Sequence, residues 1–106
     1  MTSYNISARQ IDAGVVLLNG SFGEPADNTR IVVDAAKSLA KCKLSGGKTV
    51  LVNGPASLPV AMVIAHGVGH LFTEVAYFDP KLQGFVVAIS HGGRPVGTLI
   101  PASAVE

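Results

Sequence analysis

Cysteine, charge and long apolar runs are all scarce in this chain, and each scarcity excludes something. Cys42 is the only cysteine, so no intrachain disulfide can form and a reducing, cytoplasmic setting is the expected home. Nothing near Cys42 in sequence supplies the base or the electropositive niche of a catalytic thiol; the residue reads as a helix end. Charged residues are 14 % of the chain against 48 % hydrophobic, which excludes disorder and leaves a lightly charged surface. Part of that surface is expected to be covered by a second copy. The formal net charge of +1 gives no global field, so an anionic ligand must be met by local basic groups. A compact anion is compatible with that balance; DNA is not expected. The longest apolar run, Leu58 to Ala65, is too short to cross a bilayer, and the polar opening Met1-Thr2-Ser3-Tyr4-Asn5 lacks a targeting pattern.

The 106 residues suffice for one core, and no linker or repeat divides them, so a single domain spanning residues 1–106 is expected. Tyr4 to Ile11 reads as a strand, Asp12-Ala13-Gly14 as a turn and Val15 to Leu18 as its hairpin partner. Asp27 and Asn28 are helix caps, followed by Ile31, Val32, Ala35, Ala36, Leu39 and Ala40 at helical spacing. Ser45-Gly46-Gly47 closes that helix and Thr49 to Val52 is a short buried strand. A second helix runs from Leu58 to Val68 with Pro59 in its first turn. Being apolar all round, it belongs to a core or an interface. Glu74 to Phe78, Phe85 to Ser90 and Val96 to Ile100 complete the order ββαβαβββ. That order implies a parallel pair joined by a helix, in a ferredoxin-like α+β fold with a mixed β-sheet and both helices on one face.

The residues with chemistry concentrate between positions 70 and 91. His70, Asp79, Lys81 and His91 stand in an otherwise largely apolar stretch, and two imidazoles and a carboxylate suit a borderline metal such as Mn²⁺ or Zn²⁺. Each also has an ordinary explanation. Asp79 before Pro80 opens a turn, Lys81 is a solvated turn residue, and His91 beside Gly92-Gly93 ends a strand. The Asp79 turn falls at a carboxyl strand end, where open sheets place ligands, and His91 is expected to return to the same edge if its strand is about one residue longer than Phe85 to Ser90. His66, inside the apolar helix, reads first as a core histidine. Asn53, Gly54 and Ser57 read equally as an ordinary strand-to-helix connection with a Ser57 cap and as a loop whose amides accept an anion. Ser45-Gly46-Gly47-Lys48-Thr49 is not a nucleoside-triphosphate loop, because the first glycine is missing and a strand follows.

The run Val52-Asn53-Gly54-Pro55, then Leu58-Pro59 into a helix ending Ala65-His66, resembles the small CRISPR ring nucleases of type III systems. The likeness tightens through Val75-Ala76-Tyr77-Phe78-Asp79-Pro80-Lys81-Leu82 and Gly84 to His91, with Val96-Gly97 in the closing segment. In words, it is similar to the third, manganese-dependent ring nuclease family. The resemblance implies a ferredoxin-like homodimer that degrades cyclic tetraadenylate, with dimers stacking on either side of the ring and sharing the site. It implies that His70, Asp79, Lys81 and His91 are catalytic, with His70, Asp79 and His91 on manganese. Asn53, Gly54, Ser57 and His66 would line the ligand. The family usually carries Arg where Lys81 stands. A non-catalytic sensor that binds a cyclic oligoadenylate and oligomerises is the alternative.

Overall fold

A computed structural model of the chain describes residues 2–105. Two strands open it, β1 (Tyr4–Asp12) and β2 (Val15–Phe22). Helix α1 (Asn28–Lys41) leads to β3 (Gly47–Asn53), and α2 (Leu58–Val68) leads to β4 (Phe72–Asp79). The chain closes with β5 (Gly84–Ser90), β6 (Leu99–Pro101) and a 3₁₀ turn over Ala102–Val105.

The order ββαβαβββ is the one expected from periodicity. Six strands make one sheet in the spatial order β1-β2-β3-β4-β5-β6. β2, β3 and β4 are parallel, because a helix carries the chain back between each pair, while the two outer hairpins are antiparallel. What this α+β fold keeps of a ferredoxin-like arrangement is a mixed sheet with both helices on one face. Its sequential strand order follows from two successive crossovers.

Alternation along the strands decides which side chains meet the helices. Leu18, Val50, Val52 and Val75 point to one face and form a single core with Ile31, Ala35 and Leu39 of α1 and Val60, Ile64 and Val68 of α2. Their neighbours Leu17, Leu51 and Ala76 point the other way and pack with Phe85, Val87 and Ile100. Fully burying a side chain of this kind contributes about 1.5–3 kcal/mol, so both faces hold the sheet together.

Local chemistry sets the helix limits. Asp27 caps α1 by accepting from the Thr29 amide at 3.0 Å, and Ser57 caps α2 by accepting from the Val60 amide at 3.4 Å. α1 ends at Lys41 with Cys42 as its cap, and Lys43 turns out of the helix at φ +50°. Two strand limits differ from the sequence reading by three residues or more. β2 runs on to Phe22 because β1 stays paired with it up to Tyr4↔Phe22, across an Asn19-Gly20 step that suggests a loop. β6 begins only at Leu99, since Gly97 takes φ +95° and Thr98 closes a turn onto the Pro95 carbonyl.

Candidate functional site

Two parallel crossovers give the sheet two unlike ends. At the carboxyl end, β3 finishes at Asn53, β4 finishes at Asp79, and both helices begin. Asn53 donates from Nδ2 to Asn19 Oδ1 at 3.3 Å and accepts the Gly54 amide at 2.9 Å. Ser57 donates to Asn28 Oδ1 at 2.8 Å, tying the two helix starts together. Two tyrosines hold the connecting loop from beneath, Tyr4 donating to the Pro55 carbonyl at 2.7 Å and Tyr77 to the Gly54 carbonyl at 3.1 Å. Burial, and then the neighbouring Tyr77, push the Tyr4 phenol up to about 12, so it stays a neutral donor. Gly54 takes φ +108° and its backbone lies against the Gly20 carbonyl, which leaves room for no other residue.

Asp79 belongs to this end. Its Oδ1 accepts the Lys81 amide at 2.9 Å and the Leu82 amide at 3.4 Å, the turn that Asp-Pro sequences favour. Lys81 is exposed beside it. Asn53, Gly54, Ser57, Asp79 and Lys81 therefore share one edge, with two helix N-termini whose amide dipoles favour an anion.

The histidines are elsewhere. His91 follows β5 and its amide bonds to the Thr73 carbonyl at 2.7 Å, near the start of β4. The expectation that His91 returns to the Asp79 edge is overturned. An antiparallel hairpin pairs Asp79 with Gly84 and sends Ser90 back to Glu74, so a longer strand only carries His91 further away. Six residues separate Thr73 from Asp79 along β4, which at ~3.3 Å each is roughly 20 Å. His70 sits with His91: the two rings stack 5.6 Å apart, inclined by 21°. His91 Nε2 lies 2.7 Å from the Gly69 carbonyl. A carbonyl only accepts, so Nε2 carries the proton, and in the neutral ring Nδ1 keeps the lone pair. Lys41, Lys43 and Lys48, all exposed, come to this end from the close of α1 and the start of β3.

His66 is not a core residue. It is exposed on the last turn of α2 and lines an apolar groove of about 700 Å³ between the helices, with Leu39, Met62, Val63 and Leu71. It is also far from Asn53, Gly54 and Ser57, which stand at the other end of the same helix.

Within one copy, then, His70, Asp79 and His91 do not form a metal centre. No group of three or more His, Cys, Asp or Glu side chains able to hold a metal occurs among the described residues. Manganese also prefers oxygen donors, and the histidine end offers imidazoles.

Sequence reasoning missed Glu74. Its side chain is 1 % exposed in the sheet, yet it is ionised. It accepts Thr49 Oγ1 at 2.8 Å, the Arg94 amide at 2.7 Å and Arg94 Nε at 2.8 Å, with Arg94 Nη2 closing a two-point grip. Those bonds outweigh desolvation and hold the carboxyl down at about 2. The one available signal was a lone acid in an apolar strand, which demands a buried partner.

A model of one family matches residues 25–101, which takes in α1 through β6 and every candidate residue named above. That family is described as CRISPR-associated protein (Cas_csx3). The chain belongs to it. No curated protein and no solved structure matches. The part of this Cas_csx3 protein that carries both sheet ends is thus the part its family shares, and β1 and β2 lie outside the match.

Proposed function

We propose that this protein is a ring nuclease that opens cyclic tetraadenylate, with its site completed between two copies. The observation that carries the reading is the division of the candidate residues between opposite sheet ends. A stacked imidazole pair stands at one end, to which Lys41, Lys43 and Lys48 also come, and an anion-accepting edge with Asp79 and Lys81 stands at the other. A cyclic, multiply charged ligand held between two copies would meet both ends at once. The Nδ1 of His91 accepts the proton of the attacking hydroxyl as its oxygen bonds to phosphorus. The P–O bond to the departing ribose oxygen breaks and that oxygen takes a proton from solvent, while Lys81 faces the charge developing on phosphate. Asn53, Gly54 and Ser57 hold the neighbouring phosphates at the helix starts. Manganese, expected from the resemblance, would find imidazole and carboxylate together only where the ends of two copies meet. No step above depends on it.

The test is incubation with labelled cyclic tetraadenylate, with and without Mn²⁺. Linear products are expected from the wild type, and His91→Ala is expected to lose at least about 100-fold in rate. Equal rates for the two proteins would refute the assignment of His91.

A second reading is favoured by Lys81, which cannot reproduce the two-point grip of a guanidinium on phosphate. In it the chain binds the ring, associates further and leaves it intact. Light scattering would then show ligand-dependent growth in mass with intact ring recovered. Recovery of linear product excludes this reading.

A further inference from the structure

Glu74 and Arg94 take no part in the chemistry above, yet four donors converge on this one buried carboxylate. Only the acid is buried: the Glu74 side chain is 1 % exposed and the Arg94 side chain 45 %, so the desolvation of the carboxylate is set against a partner that keeps part of its hydration. The position of the pair is more telling. Arg94 is the third residue after His91, and both its amide and its guanidinium are fixed to Glu74, whose strand neighbour Thr73 accepts the His91 amide. The turn between them admits little but glycine. Gly92 lies at φ +91°, and a Cβ on Gly93 would come within 2.6 Å of Glu74 Oε1. His91 is thus held by its own amide, by its ring nitrogen on Gly69 and by the turn that follows it.

We propose that Glu74 and Arg94 are positioning residues for His91: they pin the His91–Arg94 turn so that the ring keeps Nε2–H on the Gly69 carbonyl and presents Nδ1 at the sheet end. The proposal rests on the reading of His91 as the reactive imidazole. It differs from a merely structural role in one observable, the tautomer of a ring that neither Glu74 nor Arg94 is hydrogen-bonded to. With the pin removed, the backbone after His91 is free to turn, the Gly69 bond is made only part of the time, and both tautomers become populated.

The experiment compares wild type, Arg94→Ala, Glu74→Gln and Thr49→Val by ¹⁵N chemical shifts of the His91 ring, alongside kcat and KM for ring cleavage. Wild type is expected to show a single Nε2–H tautomer. Arg94→Ala and Glu74→Gln are expected to show a mixture, with kcat reduced about 10- to 100-fold and KM little changed. Thr49→Val removes a donor from Glu74 without touching the turn, and is expected to keep the wild-type ring signals. An unchanged tautomer in folded Arg94→Ala overturns the proposal. If that variant does not fold, Arg94→Lys keeps the charge without the two-point grip, and an unshifted His91 there overturns it equally. Should wild type cleave no ring, the function reading falls while the ring spectra still decide the positioning role.

Discussion

Glu74 is the residue on which acid stability is expected to turn. Its carboxyl is drawn from an ordinary 4.5 down to about 2 by the hydrogen bonds of Arg94 and Thr49, against the desolvation that opposes them. A carboxyl depressed in the folded state stabilises the fold above its unfolded pKa, and that contribution fades as pH falls from 4.5 toward 2. The displacement corresponds to roughly 3 kcal/mol at neutral pH. Urea melts of wild type and Glu74→Gln from neutral pH downward should show a gap of that order that closes across this window. Parallel curves would mean that the pair contributes nothing through its charge.

The elements were more legible than their relative placement. The limits of α2 follow from Ser57, Pro59 and Gly69, and the Asp79-Pro80 turn declared the end of β4, because these are local signals of capping and turn chemistry. Glu74 and Arg94 could not be paired in sequence, since 20 residues and a hairpin separate them. The position of His91 was available in principle: antiparallel pairing sends the far end of β5 back to the beginning of β4. The all-round apolar character of α2 pointed to a core or an interface, and within one copy Leu58 and Met62 are 84 % and 72 % exposed. A helix packed on a single sheet layer leaves its outer face open whatever its composition. The Asn53–Ser57 loop makes a second prediction. Gly54→Ala places a Cβ 2.0 Å from the Gly20 carbonyl at a left-handed φ and should cost about 3 kcal/mol or more. Tyr4→Phe leaves the Pro55 carbonyl without its donor and should cost about 1–3 kcal/mol. Thermal melts check both, and a Gly54→Ala protein as stable as wild type would contradict the close packing of that loop.

At the scale of the whole molecule, one copy carries half of a candidate site at each end of its sheet. The histidine pair is at one end and the Asp79 turn at the other, and no rotation of side chains spans roughly 20 Å. A working site built from both ends therefore joins the histidines of one copy to the Asp79 edge of another, and that joining is open to a mixing experiment. His91→Ala removes the imidazole, while Lys81→Ala removes the amine and keeps the backbone amide that bonds to Asp79 Oδ1. Each variant alone should lose most of the cleavage rate. Mixed in equal amounts, the His91→Ala copies supply an intact Lys81 edge and the Lys81→Ala copies an intact histidine pair. Random pairing should then restore roughly a quarter of the wild-type rate. A mixture as inactive as its two components would contradict a site shared between copies.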